Sequence, residues 1–495
     1  MNAQIARVGM TTLVLLVALV VGSTYWQTWA QAGLKDRQDN AIERVAQFRI
    51  ERGPIVAHNG TPLATNVKRK AGGQTLYFRR YPTRGLLAQT VGYYTQARSQ
   101  TGLERAENDY LTGSNGNLAS TFDATLNRLR GTTIRGNSLR LNVLVGPQRL
   151  AMSLLRGKCG AVVAMEPHTG KVRVIASNPT YDPNLVEKRF AAIERAPSIC
   201  RGSSSALYNR ATQGLYTPGS TFKIVTAAAA LDTGAYTPES RFYDPGYCEE
   251  YGKRVRNAGN PEAPETFGSV DFLQGFQHSI NSVFCNVGKS IGAKTILEYA
   301  RRLGYYARPP LELPENQRFA SGLYVRGEPY WPKDFNKVDP GRLAFGQERM
   351  LVTPLQAAMV AATVANGGEV IEPQLVDRIV SPSGKTIVGS QPHTLGRAIK
   401  RSTAATLTEF MVAAVTGGTG TAAQIPGVQV AGKTGTAETG IAGLNTTWFV
   451  CFAPADHPRI AVAVVLESQH GFGGTTAAPI AKQVMEAILK RGSNS

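Results

Sequence analysis

Apolar residues form one long run at the start of the chain and shorter runs further on. Residues 8–29 contain no charged side chain, and a helix of this length can cross the hydrocarbon core of a bilayer. Arg7 precedes the run, and Tyr25, Trp26 and Trp29 lie near its far end, where aromatic rings favour the membrane interface. We predict an uncleaved single-pass anchor in the cell membrane, with the following chain outside the cell. The alternative is a cleaved signal peptide, because residues 30–32 (Ala-Gln-Ala) have the form of a processing site.

The pattern of the remaining chain changes near residue 156. Residues 31–155 are polar, glycine-rich and poor in long periodic runs, which predicts an irregular α/β module with short strands such as 74–78. Beyond it, apolar runs at 160–165 and 171–176 predict a hairpin, and 447–452 and 459–466 are strand-like again. Helical patterns lie between these strand groups at 223–231, 272–302 and 354–365, and a closing helix is predicted at 479–490.

This order of elements predicts an α+β fold. Strands at both ends of the second region, with helices between them, indicate one sheet assembled from distant segments and flanked by helices. We therefore divide the chain into a cytoplasmic stub and transmembrane anchor at 1–30, an intermediate domain at 31–155 and a larger domain at 156–495.

Composition narrows the possible functions. A net charge of +19 indicates attraction to anionic surfaces, which include nucleic acid, acidic lipid and anionic wall polymers. Export of the chain excludes work on cytosolic nucleic acid. The five cysteines form no CxxC pair and the six histidines are scattered, so the sequence predicts neither a metal site nor another cofactor. Two disulfides with one free thiol are possible in an exported protein, but the sequence does not rank the pairings, and buried free thiols are equally compatible.

The first segment with candidate chemistry is Tyr-Thr-Pro-Gly-Ser-Thr-Phe-Lys at residues 216–223. The Pro-Gly pair predicts a turn, after which Ser220 would begin a helix and Lys223 would lie on the same face. A serine hydroxyl needs a base to become a nucleophile, and a lysine whose pKa is lowered by burial can provide one. The Ser220 amide, at the start of a helix, could stabilise an oxyanion. Alone, the S-x-x-K pattern is weak, since an ordinary capped helix matches it equally well.

Two further segments gain meaning only together with the first. Residues 433–436 (Lys-Thr-Gly-Thr) predict an exposed strand along which a substrate could pair, with the hydroxyls of Thr434 and Thr436 and the Lys433 charge holding a carboxylate. The Thr436 amide could complete an oxyanion hole with that of Ser220. Ser279 and Asn281, beside a helical pattern, could relay a proton and bind a substrate backbone.

In this order the three segments resemble the S-x-x-K, S-x-N and K-T-G motifs of penicillin-binding proteins and serine β-lactamases. Residues 52–60 (R-G-P-I-V-A-H-N-G) and 102–104 (G-L-E), with Tyr110, resemble motifs of a non-catalytic pedestal domain. Residues 352–356 and 365–368 resemble segments of the transpeptidase domain. The chain is therefore similar, over nearly its whole length, to class B penicillin-binding proteins, which combine such a pedestal with an antiparallel sheet flanked by helices. Ile280 occupies a position of the middle motif that varies in the family.

The resemblance implies a peptidoglycan D,D-transpeptidase that β-lactams acylate. It implies Ser220 as nucleophile, Lys223 as base, and Ser279 with Asn281 as proton relay and substrate holder. Lys433, Thr434, Gly435 and Thr436 would bind substrate. The implied partners are peptidoglycan stem peptides, a membrane glycosyltransferase of the FtsW/RodA kind and divisome proteins. The roughly 120 residues before the catalytic domain leave no room for a glycan-polymerising domain.

Two other functions are compatible with the sequence. A β-lactamase or D,D-carboxypeptidase would need a deacylating group, and residues 311–316 (Leu-Glu-Leu-Pro-Glu-Asn) loosely resemble the glutamate loop of class A β-lactamases, although a Pro/Glu-rich surface loop explains them better. A membrane-tethered receptor or division scaffold could retain the pocket for binding alone. The three chemically intact motifs argue against a scaffold.

Overall fold

A computed structural model describes residues 2–25, 48–71, 73–114, 135–195, 200, 205–260 and 263–490 of the chain. It begins with the helix Asn2–Tyr25, in which Ala6–Tyr25 has a mean hydropathy of 1.9 and no buried residue. Among the described residues, this is the one helix long and apolar enough to cross a membrane. Trp26, Trp29 and the candidate processing site at 30–32 lie outside the described residues.

A six-stranded sheet, here called the first sheet, lies in the part of the chain that follows. Its strands lie side by side in the order Thr386–Gly389, Val376–Val380, Ser138–Leu141, Ile55–Val56, Pro62–Ala71 and Gln74–Arg80. The strand predicted at 74–78 is confirmed and extends to Arg80. Two strands come from residues 376–389, so the larger predicted domain contributes to this sheet. The sequence pattern predicted residues 31–155 as a separate module with short strands and did not indicate this contribution.

A buried ion cluster holds this sheet to the helix Gly102–Ala106. The carboxylate of Glu104 is fully buried and accepts hydrogen bonds from Arg52 Nη2 at 3.0 Å and from Arg79 Nε at 2.7 Å. Arg52 also donates to Asn108 Oδ1 at 2.7 Å. A buried carboxylate needs a compensating charge. Arg52 of the segment 52–60 and Glu104 of the segment 102–104 therefore form a structural ion pair that joins these two segments.

The second sheet, here called the central sheet, has five antiparallel strands. They lie in the order Ala431–Glu438, Asn445–Ala453, Ile460–Gln469, Gly160–Met165 and Val172–Asn178. The predicted hairpin and the assembly of one sheet from distant segments are confirmed. The last three strands of the chain thus pair with a hairpin that begins some 270 residues earlier in the sequence. The strand Ala431–Glu438 lies at the edge.

Three of the four predicted helical stretches are present nearly as predicted, at Lys223–Asp232, Pro354–Ala365 and Ala478–Leu489. The fourth prediction, one stretch over 272–302, is wrong, because the chain forms two helices, Phe272–Gln277 and Asn281–Arg302. Ser279 lies between them with φ of 61°, a left-handed conformation that interrupts a helix. The apolar period continues across the break since Phe276, Ile280 and Val283 are all buried in the same core.

The remaining elements are shorter and surround the two sheets. The other helices are Ala88–Val91, Gly102–Ala106, Asn108–Thr112, Val145–Leu154, Val186–Glu194, Pro340–Ala344, Arg401–Thr416 and Gly473–Thr476. The other strands are Tyr94–Thr95, Ser99–Gln100, Arg241–Asp244, Tyr247–Glu250, Lys253–Arg256, Gly259–Asn260, Ala263–Pro264, Gly268–Asp271, Gly322–Val325, Glu328–Pro329, Met350–Leu351, Glu369–Ile371 and Thr394–Arg397.

Two disulfides form among the five cysteines. Cys159 pairs with Cys200 and Cys248 pairs with Cys285, whereas Cys451 is a buried free thiol. The second disulfide joins the strand Tyr247–Glu250 to the helix that begins at Asn281. Of the alternatives open from the sequence, two disulfides with one free thiol is the one that the structure contains.

Candidate active site

Ser220 lies in a short turn that leads directly into a helix. Residues Gly219–Phe222 form a 3₁₀ turn, and the helix Lys223–Asp232 continues from it. Gly219 has φ of 52°, and a Cβ at this position would lie 2.5 Å from the carbonyl oxygen of Thr436, so only glycine fits. Side chains three residues apart lie nearly one above the other on a 3₁₀ turn, which places Ser220 and Lys223 on one face. Among the described residues, the half-buried Ser220 hydroxyl has no hydrogen-bond partner, so it is available to a ligand.

The amine of Lys223 is fully buried and joins the first motif to the middle one. Its Nζ lies 2.7 Å from the carbonyl oxygen of Ser279, 2.8 Å from Asn281 Oδ1 and 3.3 Å from Ser279 Oγ. Burial, together with the charge of Lys433, holds the pKa of Lys223 well below its ordinary value. A neutral amine has two N–H bonds, and the two acceptor-only partners account for both. The nitrogen lone pair then remains free to receive a proton from a hydroxyl.

The break between the helices Phe272–Gln277 and Asn281–Arg302 presents the middle motif to Lys223. The left-handed φ of Ser279 turns the chain so that both its carbonyl oxygen and its hydroxyl contact the lysine amine. Asn281, at the first position of the second helix, accepts from Lys223 and donates through Nδ2 to the carbonyl oxygen of Arg256 at 3.0 Å. The break therefore lets Ser279 and Asn281 both contact the Lys223 amine, which a continuous helix would not allow.

The third motif lies on the edge strand Ala431–Glu438. Lys433 is fully buried, with Nζ 3.3 Å from the carbonyl oxygen of Thr434 and 5.6 Å from the centre of the Phe276 ring. Burial lowers the pKa of Lys433 to about 7. No carboxylate forms an ion pair with Lys223 or Lys433 within the described ranges of the chain. Both amines therefore lie in a site where an incoming anion would be the nearest compensating charge.

The edge strand lies directly against the turn that contains Ser220. A Cβ at Gly435 would lie 2.7 Å from the carbonyl oxygen of Pro218 and 2.8 Å from Thr221 Cγ2, so the absence of a side chain permits this approach. The backbone of Thr436 faces Gly219, next to Ser220. The geometry thus brings together all eight residues predicted from the sequence, which are Ser220, Lys223, Ser279, Asn281, Lys433, Thr434, Gly435 and Thr436.

The structure adds two residues that the sequence did not single out. The hydroxyl of Thr419 lies 2.6 Å from that of Thr434, and the Gly473 amide donates to the Thr436 hydroxyl at 3.1 Å. These contacts orient the two threonine side chains of the third motif. The glycine-rich runs 417–420 and 471–474 were the available signals, because glycines mark places where two backbones approach closely.

Comparison with known proteins matches this arrangement to one family. Residues 160–486, more than half of the chain, match the family described as penicillin binding protein transpeptidase domain. Residues 52–139 match the penicillin binding protein A dimerisation domain. The chain is 34% identical over 517 residues to peptidoglycan D,D-transpeptidase PbpA of Mycolicibacterium smegmatis, and all of both chains is covered. The chain belongs to the class B penicillin-binding proteins. This family comprises peptidoglycan D,D-transpeptidases.

Solved structures of related proteins have the same fold as this chain. The ceftriaxone acyl-enzyme complex of penicillin-binding protein A from Mycobacterium tuberculosis matches with a TM-score of 0.79 and 32% identity, over 90% of this chain and 100% of that one. The D,D-transpeptidase domain of a peptidoglycan glycosyltransferase from Eggerthella lenta matches with a TM-score of 0.75 and 31% identity, over 90% and 100%. The resemblance to class B penicillin-binding proteins is thus confirmed for both sequence and structure.

In this penicillin-binding protein, the loop that resembled a β-lactamase glutamate loop has a structural contact. The two carboxylate oxygens of Glu312 accept the backbone N–H groups of Leu375 and Val376 at 2.8 and 3.2 Å. Glu315 is exposed and pairs with Arg308. Both oxygens of Glu312 are therefore engaged at the first sheet, which argues against a water-activating role for this residue.

Proposed function

We propose that this protein is a membrane-anchored peptidoglycan D,D-transpeptidase that cross-links stem peptides through an acyl-Ser220 intermediate, with release of the terminal D-Ala. The observation that carries the proposal is the environment of Lys223, whose fully buried amine contacts Ser279 and Asn281 and lies three residues after Ser220. Its relatives are named peptidoglycan D,D-transpeptidases, and a related structure is a β-lactam acyl-enzyme. The activity would support wall synthesis in division or growth.

Acylation begins with proton transfer from the Ser220 hydroxyl to the neutral amine of Lys223. The Ser220 oxygen attacks the carbonyl carbon of the penultimate D-Ala and forms a tetrahedral intermediate. The backbone N–H groups of Ser220 and Thr436 stabilise its oxyanion, because the edge strand lies against the nucleophile turn. Lys223 is suited to act as base since burial keeps its pKa well below that of an exposed lysine.

Collapse of the intermediate breaks the peptide bond and releases D-Ala. The proton held by Lys223 passes through the Ser279 hydroxyl, 3.3 Å away, to the departing amine. In the second half of the reaction, an amine of a neighbouring stem peptide attacks the Ser220 ester. That amine loses a proton to the Lys223–Ser279 pair, a new peptide bond forms, and Ser220 recovers its hydroxyl proton. Attack by water instead would give carboxypeptidase activity as a side reaction.

Substrate binds along the edge strand Ala431–Glu438 as an added strand. The absence of a side chain at Gly435 allows close approach, and Asn281 Nδ2 binds the peptide backbone. The hydroxyls of Thr434 and Thr436 and the amine of Lys433 hold the terminal carboxylate of the substrate, or the carboxylate of a β-lactam. An arriving carboxylate favours the protonated, positively charged form of Lys433, so binding of the anion strengthens the charge that holds it.

The proposal includes the organisation of the chain in the cell. Residues 1–30 form a cytoplasmic stub and transmembrane anchor, 31–155 a non-catalytic pedestal and 156–495 the transpeptidase domain. The catalytic domain lies on the outer face of the cell membrane, where the substrate is. A FtsW/RodA-type glycosyltransferase and divisome proteins are the expected partners, because the resemblance to class B penicillin-binding proteins implies work beside a separate glycosyltransferase.

Mass spectrometry of the intact protein after reaction with penicillin tests the proposal. We expect one adduct per chain on the peptide that contains Ser220, and none in Ser220→Ala. An adduct on another residue, or none on the wild-type protein, would refute it. Nitrocefin separates transpeptidase from hydrolase, because a transpeptidase gives one trapped acyl-enzyme whereas a β-lactamase turns over steadily.

Complementation of a depleted strain separates an enzyme from a scaffold. If the protein acts by acyl transfer, Ser220→Ala should fail to restore growth although it reaches the membrane in normal amount. Full rescue by this variant would favour a scaffold that only binds.

A further inference from the structure

A buried acid, arginine and tyrosine lie behind the turn that contains Ser220, and the mechanism above does not use them. Glu467, on the strand Ile460–Gln469 of the central sheet, is 7% exposed, and Arg210 is fully buried. One carboxylate oxygen of Glu467, Oε1, accepts from Arg210 Nε at 2.9 Å and from the hydroxyl of Tyr216 at 2.7 Å. Glu467 thus binds two residues, Arg210 and Tyr216, of the segment 210–219 that leads to Ser220.

The same segment is held by the neighbouring strand and by a backbone pair. Trp448 Nε1 donates to the carbonyl oxygen of Thr217 at 3.0 Å, and the Tyr216 ring packs edge-on against the Trp448 ring with centroids 6.0 Å apart. The backbone of Tyr216 also exchanges two hydrogen bonds with Val352, at 3.1 and 2.8 Å. These contacts end at Thr217, three residues before Ser220.

Trp448 also lies opposite the strand that would provide the second oxyanion donor. In the central sheet, Trp448 is paired with Gly435, the residue before Thr436. One side chain therefore touches the segment before Ser220, while its backbone is in register with the segment before Thr436. The distance between the two N–H groups of the oxyanion hole depends on how Tyr216 and Trp448 are held. Glu467 fixes Tyr216 from the next strand.

We propose that Glu467 is a positioning residue that acts through Tyr216 to set the Ser220 turn against the strand of Thr436. Burial of an acid and an arginine is costly, and well-packed apolar residues often stabilise as well as such a pair. The buried acid gives the Tyr216 hydroxyl a hydrogen bond of fixed length and direction. An apolar pair would not fix the position of Tyr216 in this way. This inference rests on the proposed function, because it concerns the rate at which Ser220 is acylated.

The test compares acylation by fluorescent penicillin in the purified full-length protein and its variants. Tyr216→Phe removes only the hydroxyl and keeps the ring against Trp448, and Glu467→Gln removes the charge at constant size. We expect the acylation rate constant to fall about 10- to 100-fold in both, as misplacement of reacting groups by up to about 1 Å does elsewhere. The dissociation constant of the initial complex should change less than about threefold. The double variant should be no slower than Glu467→Gln, since both changes break one path.

Glu104→Gln is the matched control. Glu104 is also buried and also binds arginine, but it lies in the cluster of the first sheet. It should lower the melting temperature and leave the acylation rate constant within about twofold. Equal slowing by Glu104→Gln, or a wild-type rate in folded Tyr216→Phe, would overturn the inference. Should Glu467→Gln fail to fold, Tyr216→Phe alone decides. Absence of a Ser220 adduct in the wild-type protein would instead refute the proposed function.

Discussion

Replacement of Lys433 by methionine should stabilise the protein while removing its activity. The Lys433 amine is fully buried and has a pKa of about 7, against an ordinary value of 10.5. Between these two values the unfolded chain holds a proton that the folded chain releases, so stability increases as pH rises through this window. At pH 7 the unfavourable contribution is about 4 kcal/mol. This is about 1.36 kcal/mol for each pH unit between the two pKa values, less about 0.4 kcal/mol because half of the folded molecules still hold the proton.

Lys433→Met removes this contribution and keeps a side chain of similar length. The lost contact with the carbonyl oxygen of Thr434 costs about 1 kcal/mol, so the expected net gain at pH 7 is about 3 kcal/mol. In a protein of this size the melting temperature should rise by about 3 to 5 °C. The gain should decrease as pH rises toward 10.5, because the folded and unfolded chains then hold the same number of protons. Acylation by penicillin should fall at least about 100-fold, because the carboxylate loses its cation.

Thermal unfolding of the two proteins at a series of pH values from 7 to 10, with acylation measured on the same samples, checks this prediction. Lys385→Met is the control. Lys385 is exposed and directly precedes the strand Thr386–Gly389, so the same change there should give no pH-dependent gain in stability. A loss of stability at pH 7 in Lys433→Met, or a gain that does not vary with pH, would refute the reasoning from burial of the amine.

Two further predictions concern the base and the disulfide beside it. The second-order rate constant of Ser220 acylation should rise with pH through the lowered pKa of Lys223 and fall above about pH 7 as Lys433 loses its proton. Stopped-flow measurements from pH 5 to 10 check this. A rate constant that only rises, toward the ordinary lysine pKa of 10.5, would contradict it. Replacement of both Cys248 and Cys285 by serine should cost about 4 kcal/mol, for a loop of 37 residues, and slow acylation, since the disulfide holds the helix that begins with the middle motif. Denaturant titration should show a far smaller loss in Cys451→Ala.

The residues that meet at the candidate site could be predicted from the sequence because each motif is local. Ser220 and Lys223 are three residues apart, and any helical turn brings them together. The strands 160–165 and 459–466 have a continuous apolar character that belongs to a buried sheet, so their presence was predictable as well. Their pairing into one sheet followed from the rule that strands and helices form layers.

Features that depend on contacts between distant residues could not be predicted in this way. The break at Ser279 is invisible in the apolar period, because both helices bury the same face. Glu467 and Arg210 are 257 residues apart and neither lies in a motif. The pairing of the cysteines, and the entry of residues 376–389 into the first sheet, likewise depend on the folded topology rather than on local pattern.

The proposed roles of the two buried lysines, Lys223 and Lys433, differ although burial lowers the pKa of both. The pKa of Lys223 is lowered partly by the charge of Lys433, so protonation of Lys433 helps to keep Lys223 neutral. A substrate carboxylate bound as proposed would stabilise the charge on Lys433 at the edge strand, whereas Lys223 contacts the middle motif. In the proposed mechanism, binding of the substrate would therefore add a proton to Lys433 and help to keep Lys223 unprotonated. A ligand without a carboxylate would leave Lys433 about half neutral at pH 7 and largely neutral above it. The proposed mechanism therefore couples recognition of the substrate to activation of Ser220 through one electrostatic interaction.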